Sequence, residues 1–240
     1  MKLPDVLILA GGKAERLGKI SKDLPKSLIN FFGKPFIYYQ LQLLQKKKFK
    51  KVILCTGFLS NQIEKYLYSL GDIFDLKILI SNDGKQLLGT GGAIKKALPI
   101  LSNSFFVIFG DSYLNISYLK IYKKFLYSKK LGLMTIYKNN NLSDLTGEGL
   151  SDVELTNGQI IEYNKKKINL NMKYINYGIS VFNKNLFNKF NFNGQIDMQI
   201  IHQKLIQKKQ LSNLIIKKNF YEIGSKKGIK LTRKYLKTIV

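Results

Sequence analysis

The hydrophobic pattern of the first half of the chain alternates between two periods. Short apolar runs have the length of strands buried on both faces, and the segments between them carry apolar residues at helical spacing. This alternation indicates βαβ units and a mostly parallel sheet. The predicted strands are 6–10, 52–55, 76–80, 105–109 and 131–137, and the predicted helices are 35–46, 59–70, 92–101 and 117–128.

The pattern changes after residue 137. The stretch 138–149 is polar and loop-like, and Asn157-Gly158, a dipeptide typical of tight hairpin turns, separates two short strand-like runs. We find no internal repeat and no linker in the sequence, so we expect one domain over residues 1–240. The remaining predicted elements are strands at 153–155, 159–163, 174–182 and 214–217 and helices at 196–208 and 226–238.

Composition narrows the class of protein. A hydrophobic fraction of 45% supports a real core, yet no apolar run approaches the roughly 20 residues of a membrane span. The single cysteine, Cys55, excludes an internal disulfide, suits a reducing compartment and is expected to pack in the core. Because no leader pattern precedes the first strand, we expect a cytoplasmic protein with no membrane partner.

The net charge of +25 raises the question of nucleic-acid binding. Only Arg16 and Arg233 are arginines, so 38 of the 40 basic residues are lysines, spread over nearly every segment. Recognition of phosphates and bases favours the fork of arginine, so a lysine coat that attracts small anionic substrates is the preferred interpretation. We therefore expect no nucleic-acid partner.

The stretch that carries most of the chemistry follows the first predicted strand. Gly11-Gly12 ends this strand, Arg16 lies four residues later, and Pro25-Lys26 follows. Two glycines allow a sharp turn with exposed backbone N–H groups, which can cradle a phosphate. The alternative is a plain turn with two solvated basic residues.

These residues resemble the start of the sugar-phosphate nucleotidyltransferases, whose signature is Gly-Gly-x-Gly-Thr-Arg-Leu followed by Pro-Lys. Ala14 and Glu15 stand here in place of a glycine and the threonine. The string Leu-Gly-Thr-Gly-Gly-Ala over 88–93 resembles the branch that handles mannose-, heptose- and muramate-type phosphates. The resemblance implies a Rossmann-like α/β fold, with a mixed, mostly parallel sheet between helices, of the nucleotide-diphospho-sugar transferase type. It also implies a nucleotide-binding core over 1–137 and an acceptor-binding part over 138–240.

Two acidic residues are candidates for a metal site. Asp111 emerges after a glycine where a buried strand ends, a position suited to a hard divalent cation. The resemblance assigns this Gly-Asp pair and Glu222, in Phe220-Tyr221-Glu222-Ile223-Gly224-Ser225, as ligands of Mg²⁺. The late motif has a second interpretation, in which Ser225 caps the helix predicted after it.

The resemblance also assigns the remaining site residues. Lys165 stands where relatives carry a glutamate that contacts the sugar. The single histidine, His202, lies on a predicted helix, and we expect it to have a surface or partly buried structural role. Catalysis is assigned to Arg16, Lys26 and Asp111, nucleotide binding to Leu9, Ala10, Gly11, Gly12, Arg16, Lys26, Asp83, Gly89, Thr90 and Gly91, and acceptor binding to Lys166, Asn176, Tyr177 and Gly178.

The function implied by the resemblance is a Mg²⁺-dependent transfer of a nucleotide from CTP, GTP or UTP to a phosphorylated acceptor. The acceptor is expected to be a sugar 1-phosphate, and the products are an NDP-sugar for surface-glycan precursors and pyrophosphate. Two alternatives stay open: the same chemistry on a non-sugar phosphate, as in cytidylyltransferases, and a non-catalytic basic module that binds nucleotides or nucleic acid. The sequence does not determine the oligomeric state, and a homo-oligomer is one of the possibilities.

Overall fold

The structure is a computed structural model that describes residues 1–12, 23–84, 86–139, 151–192 and 194–239. Strands and helices alternate through the first half, as the pattern predicts. The strands are β1 (Asp5–Leu9), β2 (Asn30–Phe31), β3 (Lys34–Pro35), β4 (Lys51–Thr56), β5 (Lys77–Asn82), β6 (Ser104–Phe109), β7 (Ser112–Tyr113), β8 (Gly132–Lys138), β9 (Val153–Thr156), β10 (Gln159–Tyr163), β11 (Tyr174–Asn183), β12 (Leu211–Ile216) and β13 (Tyr221–Glu222). The helices are α1 (Phe36–Lys46), α2 (Ser60–Leu70), α3 (Gly89–Ala97), α4 (Tyr118–Ser128), α5 (Asn185–Lys189), α6 (Met198–Gln207) and α7 (Lys226–Leu236).

A mixed sheet, with nine strands in the described part of the chain, forms the centre of the molecule. Its main path runs β10-β9-β11-β6-β1-β4-β5, while β8 pairs with β11 and β12 pairs with β8. Strands β6, β1, β4 and β5 are parallel neighbours, and β11 joins them antiparallel to β6. The predicted class, a mixed sheet with a parallel core and helices on its faces, is confirmed.

Strand β1 shows why the sheet is covered on both faces. Val6 and Ile8 belong to the apolar cluster that includes residues of α1, α2 and α4, while Leu7 and Leu9 belong to the cluster with α3 and α6. Successive strand residues point to opposite faces, so a strand covered by helices on both sides must be apolar throughout.

Several predicted elements differ from the structure at their ends. Helix α3 begins three residues earlier than predicted and passes into a 3₁₀ turn over Leu98–Ile100, where Pro99 lies in its first turn. The hairpin turn is confirmed, since Asn157 and Gly158 both have positive φ, 50° and 73°. The two-residue strands β2, β3, β7 and β13 were not predicted, because such short strands show no alternation. Most of the predicted loop at 138–149 lies outside the described residues.

Among the described residues, we find no helix with the length and apolar character needed to cross a membrane.

His202 on α6 is fully buried, which differs from the expected surface or partly buried position. Its Nε2 lies 2.9 Å from Ser180 Oγ on β11, and the rings of Tyr163 and Phe182 pack against it. Burial, with a smaller contribution from Lys165, lowers the pKa of His202 to about 3. The structural role that was expected for this residue is consistent with its place in the core.

The buried imidazole predicts a pH-dependent contribution to stability. In the unfolded chain His202 takes up a proton near its ordinary pKa of 6.5, whereas in the folded chain it stays neutral until about pH 3. Its contribution to the free energy of unfolding should therefore fall as the pH drops below about 6.5, by about 2 kcal/mol at pH 5. Burial also raises the pKa of Asp152 to about 6, which acts in the opposite direction, so the wild-type curve alone does not isolate the histidine.

A comparison with His202→Gln isolates the contribution of the histidine to the pH dependence of stability. The free energy of unfolding of both proteins is measured by urea titration at pH 7.5 and at pH 5. We expect the wild type to lose about 2 kcal/mol relative to the variant between the two pH values. A difference that is the same at both pH values would contradict the burial of a neutral imidazole.

Candidate active site

The carboxyl ends of the parallel strands open into a cavity of about 260 Å³. In sheets of this kind ligands bind beyond the carboxyl ends of the strands. Nine of the predicted site residues line it. The lining residues are Leu9, Ala10, Gly11, Gly12, Lys26, Ser27, Cys55, Asp83, Leu87, Gly89, Thr90, Ala93, Phe109, Gly110, Asp111 and Gln195.

The ends of β1 and β6 approach each other closely at one wall of the cavity. The Gly110 N–H donates to the Leu9 carbonyl at 2.9 Å, and a Cβ on Gly110 would lie 2.9 Å from that oxygen. A glycine is therefore required where Asp111 leaves β6. The space around Gly12 is open instead, with no atom within 4 Å of a Cβ placed there, so its backbone can face a ligand.

Lys26 and Asp111 form an ion pair in this cavity, although 85 residues separate them. Lys26 begins a 3₁₀ turn after Pro25, and its Nζ donates to Asp111 Oδ2 at 3.0 Å. Both side chains remain partly accessible, at 23% and 32%. The pair is thus reachable by a ligand that carries phosphates.

Glu222 joins this pair through a short antiparallel pairing. Strand β13 pairs with β7 so that Glu222 faces Ser112, and the Ile223 N–H donates to the Asp111 carbonyl at 2.9 Å. A Cβ placed on Gly224 would lie 2.9 Å from Glu222 Oε2, 3.4 Å from Asp111 Oδ2 and 3.5 Å from Lys26 Nζ. The two carboxylates and the ammonium therefore surround one small space.

The donor set fits a magnesium ion that shares its coordination with a phosphate ligand. Among the described residues there is no group of three or more His, Cys, Asp or Glu that could form a protein-only metal site. Magnesium is usually held by one or two carboxylates plus substrate phosphates and water, so Asp111 and Glu222 would suffice as protein ligands.

The second interpretation of the late motif, a helix cap, is confirmed. Ser225 Oγ accepts from the Gly228 N–H at 2.9 Å and donates to Glu222 Oε1 at 2.6 Å. Glu222 Oε2 accepts the N–H groups of Gly224 and Ser225. The glutamate thus lies at the positive end of α7, which holds its carboxylate in place and stabilises its charge.

Sequence reasoning missed Gln40, which fixes the turn that carries Asp111. Gln40 is buried on α1, and its Nε2 donates to the Phe109 carbonyl at 3.0 Å and to the Ser112 carbonyl at 2.8 Å. Its signal was present in the sequence, because position 40 falls within the apolar stripe of Ile37, Leu41 and Leu44. A polar residue on such a stripe must find a buried partner.

The Leu-Gly-Thr-Gly-Gly-Ala string has a larger packing role than the resemblance implies. The N–H groups of Gly91 and Gly92 donate to the Ile196 carbonyl, and the Met198 N–H donates to Thr90 Oγ1 at 2.7 Å. A Cβ on Gly91 would lie 3.1 Å from that carbonyl oxygen. Gly91, assigned to nucleotide binding, is absent from the cavity lining, unlike Gly89 and Thr90.

Tyr177, which the resemblance assigned to acceptor binding, has its side chain in the core. Its ring is 1% exposed and packs in the core against Tyr137 and Phe220, and its hydroxyl donates to the Asn219 carbonyl at 3.2 Å. A packing role, fixed by the alternation of the strand, explains its place.

The other predicted acceptor residues have mixed positions. Gly178 has a φ of +101° and packs beside Phe109, and Asn176 Oδ1 accepts the Gly178 N–H at 3.0 Å, so the two form a local turn. Lys166 is exposed, and its own backbone N–H donates to Asn164. The neighbouring Lys165, not assigned from sequence, places its Nζ 5.8 Å from the ring centroid of Phe109, which lines the cavity.

Arg16, assigned to catalysis and nucleotide binding, lies outside the described residues, as do Ala14 and Glu15.

Taken together, the glycine turn, the lysine–carboxylate pair and the parallel strand ends define a phosphate-binding α/β protein. A family profile described as nucleotidyl transferase matches residues 5–229, which is most of the chain. The protein therefore belongs to the nucleotidyl transferase family.

Two curated relatives show the range of similarity. The chain is 29% identical over 218 residues to a D-glycero-alpha-D-manno-heptose 1-phosphate guanylyltransferase of Campylobacter jejuni, covering 91% of this chain and 93% of that protein. It is 25% identical over 224 residues to the catalytic subunit beta of a mannose-1-phosphate guanylyltransferase of Xenopus tropicalis. That alignment covers 92% of this chain and 61% of the longer protein.

Among solved structures, the chain resembles HddC from Yersinia pseudotuberculosis in complex with GMP-PN. The TM-score is 0.82 at 21% identity, and the superposition covers 98% of this chain and 100% of that chain. At this identity the likeness supports the fold, which agrees with the sheet order described above.

The position of Glu222 predicts an unusual effect of one glycine substitution. Gly228 lies in the first turn of α7, where alanine normally stabilises a helix by about 1 kcal/mol relative to glycine. A Cβ at this position would overlap the Glu222 carboxylate and lie 2.7 Å from the Glu222 carbonyl oxygen. We therefore expect Gly228→Ala to lower the free energy of unfolding by about 1–3 kcal/mol, measured by urea titration.

The exposed Lys230 on the same helix provides the control, since Lys230→Ala should change stability by less than about 0.5 kcal/mol. A stabilising Gly228→Ala would show that Glu222 does not occupy the helix end.

Proposed function

We propose that this protein is a Mg²⁺-dependent nucleotidyltransferase that joins an NTP to a sugar 1-phosphate and releases pyrophosphate. The observation that carries the proposal is the convergence of Lys26, Asp111 and Glu222 on one space beside the Gly11-Gly12 turn. The relatives support the acceptor class, because those named above are guanylyltransferases of heptose 1-phosphate and mannose 1-phosphate.

The proposed reaction needs no covalent intermediate on the protein. An oxygen of the acceptor phosphate attacks the α-phosphorus of the NTP, a new P–O bond forms, and the bond to the β-phosphate breaks with pyrophosphate as the leaving group. The nucleophile is already an anion, so no general base is required. The task of the protein is to align the reactants and to balance their negative charge.

Each described residue has a definite part in this proposal. The backbone of Gly11 and Gly12 cradles the phosphates of the nucleotide, and the Lys26 ammonium stabilises charge at the α-phosphate. Asp111 and Glu222 would hold the magnesium ion, which when bound would neutralise charge on the phosphates. We also assign Arg16 to the β- and γ-phosphates.

On the acceptor side, Lys165 is a better candidate than Lys166 for contact with the sugar phosphate. The Lys165 ammonium lies beside Phe109, the residue immediately before Gly110 and Asp111, and within 4.0 Å of Asp197 Oδ1. Both lysines are exposed, and Lys165 is preferred because its ammonium is the one that lies near Phe109, which lines the cavity.

The direct test is a matrix of four NTPs against phosphorylated acceptors, assayed for released pyrophosphate. We expect turnover that requires both an NTP and a sugar 1-phosphate, that stops when EDTA removes the divalent metal, and that returns when Mg²⁺ is restored. Turnover with non-sugar phosphates alone would show that the acceptor is not a sugar 1-phosphate. No turnover with any pair, together with steeply salt-dependent binding to DNA or RNA, would favour a non-catalytic basic module.

The ion pair in the cavity can be tested against a matched pair elsewhere. We expect Lys26→Ala and Asp111→Ala each to lower kcat/KM by at least about 100-fold without loss of folding, because each removes a charge that faces the phosphates. Lys50 and Asp75 form an exposed ion pair of 2.5 Å at the opposite, amino-terminal edge of the sheet. As controls, Lys50→Ala and Asp75→Ala should leave turnover within about twofold of wild type. If Lys26→Ala or Asp111→Ala also kept near wild-type turnover, that residue would have no part in the mechanism.

A further inference from the structure

We infer that this protein docks on the surface of membranes whose lipids carry negative charge, through helix α4 and a basic groove beside it. The inference does not depend on the proposed reaction, because the described residues that line this groove and those that line the cavity at the strand ends have no member in common. The expectation of no membrane partner came from the lack of a leader pattern and of a spanning segment, and a peripheral contact requires neither.

The groove has a volume of about 790 Å³ and three walls. They are the end of α1, the segment 115–120 at the start of α4, and the end of β12 with the two residues after it. Five lysines and no acidic residue line it, namely Lys46, Lys47, Lys120, Lys217 and Lys218. Within the described part of the chain none of the five forms an ion pair, so their charges add.

The basic character of the groove follows from where the acidic residues are missing in the sequence. The 15 aspartates and glutamates avoid the stretches 24–63, 112–143 and 198–221. Each wall of the groove comes from one of these three stretches. The fold therefore brings acid-free segments together, and this face is more strongly positive than a random spread of lysines would make it.

Lys47 shows that ammonium groups from different walls lie near one another. It is partly buried at the end of α1, and the pKa of its ammonium is lowered first by burial and then by Lys218 and Lys46. Lys218 belongs to the wall that follows β12, so the repulsion acts across the groove. A surface of negative charge relieves this repulsion.

Helix α4 adds exposed apolar side chains to the same face. One side of the helix packs into the protein, yet three large apolar residues on its other side are exposed, namely Leu119, Leu126 and Tyr127, the last at 83%. Among the described residues, no other helix exposes more than one such side chain. Ile215 of β12, which lines the groove, is exposed as well.

Lysines alternate with these apolar residues on the outer side of α4. Lys120, Lys123 and Lys124 are all exposed, and positions three or four apart are neighbours on a helix, so Lys123 lies beside both Leu119 and Tyr127. A helix that rests on a bilayer uses this combination. Its ammonium groups meet the lipid phosphates, and its apolar side chains enter the boundary of the acyl chains.

Nucleic acid, the other large polyanion, matches this face less well. Its recognition relies on arginine forks and on aromatic rings that stack with bases. Neither α4 nor the lining of the groove contains an arginine. The aliphatic side chains of Leu119, Leu126 and Ile215 offer no stacking surface, whereas hydrocarbon covers them.

The opposite edge of the sheet provides a control surface. Strands β12 and β5 each have one pairing partner and are separated by six strand spacings, roughly 29 Å. At physiological salt the charge of a lysine is screened within about 8 Å, so lysines near β5 do not act on lipids at α4. The edge at β5 also exposes Tyr68, but Glu64 and Asp72 line its groove.

The role of the lysines is tested by flotation of the full chain with vesicles at physiological salt. We expect binding to phosphatidylcholine vesicles that contain about 30% phosphatidylglycerol and none to pure phosphatidylcholine. Lys120→Ala together with Lys124→Ala should lower the partition coefficient by about 25-fold, about fivefold for each lysine. Lys65→Ala together with Lys77→Ala removes the same charge from exposed positions near β5 and should lower it by less than about threefold.

The role of the apolar side chains is tested with a fluorescent probe, because the chain contains no tryptophan. Tyr127→Trp places a single indole on the outer side of α4, and Tyr68→Trp places one on α2 at a position that is 91% exposed. With the anionic vesicles, the emission of the first should shift to shorter wavelength and be quenched by lipids with brominated acyl chains, since indole rings settle at the membrane interface. The emission of the second should do neither.

Three results would overturn the inference. The first is equal binding to both kinds of vesicle, or an equal loss in the two double variants, which assigns binding to the charge of the whole chain. The second is an unshifted emission of Tyr127→Trp or the same shift in Tyr68→Trp. The third is binding to single-stranded RNA that the change at Lys120 and Lys124 abolishes, without flotation of the wild type, which assigns the face to nucleic acid.

Folding and turnover keep these outcomes separate from the proposed reaction. The substituted lysines and tyrosines are exposed, so circular dichroism should show the wild-type fold for every variant. Pyrophosphate release should also equal that of wild type, because none of these residues lines the cavity at the strand ends. Flotation without any pyrophosphate release removes only the proposed reaction, and pyrophosphate release without flotation removes only the membrane contact.

Discussion

The two-residue pairing of β7 with β13 is the interaction on which the candidate site depends. It brings Glu222, from the end of the chain, next to the turn that carries Asp111, and the Ile223 N–H to Asp111 carbonyl bond completes the contact. Gln40 fixes the same turn from α1 by bonding both flanking carbonyls. Backbone hydrogen bonds and the Gln40 amide thus hold three distant segments together, which places the two carboxylates next to each other and to Lys26.

The charge of the whole chain and the charge of the site act in opposite senses. With 40 basic and 15 acidic residues, the surface attracts anions from every direction. Two of these few carboxylates, Asp111 and Glu222, converge where phosphates would bind, and Lys26 balances only one of them. Such an arrangement is unfavourable for a phosphate alone and favourable for a phosphate together with a divalent cation, because a cation would offset the repulsion between groups of like charge.

Local patterns predicted the fold and part of the site, for a physical reason. A strand buried on both faces has a continuous apolar run, so the ends of β1 and β6, and with them Gly11, Gly12 and Asp111, were readable from sequence. The burial of Tyr177 was not, because the pairing of β11 with β8 is irregular between Asn176 and Ser180, where β11 advances four residues while β8 advances from Ile136 to Met134. Such an irregularity is set by the pairing with the neighbouring strand, which the pattern of one strand does not reveal. The position of the Lys165 ammonium near Phe109 was not predicted for a related reason, since a loop has no period that distinguishes adjacent lysines.

Gly91 and Gly92 of the 88–93 string show how part of a motif can shape a site from outside the cavity lining. Gly91 and Gly92 are small enough for their N–H groups to reach the Ile196 carbonyl, and the Ile196 N–H in turn donates to the Leu88 carbonyl. These bonds fix the segment before α6, which places Gln195 in the cavity lining opposite the strand ends. A side chain at position 91 would push that segment away, because its Cβ would lie 3.1 Å from the Ile196 oxygen and 3.2 Å from the Asp197 oxygen. The motif therefore shapes the cavity by closing one wall of it, and a sequence pattern that identifies such residues does not by itself distinguish contact from support.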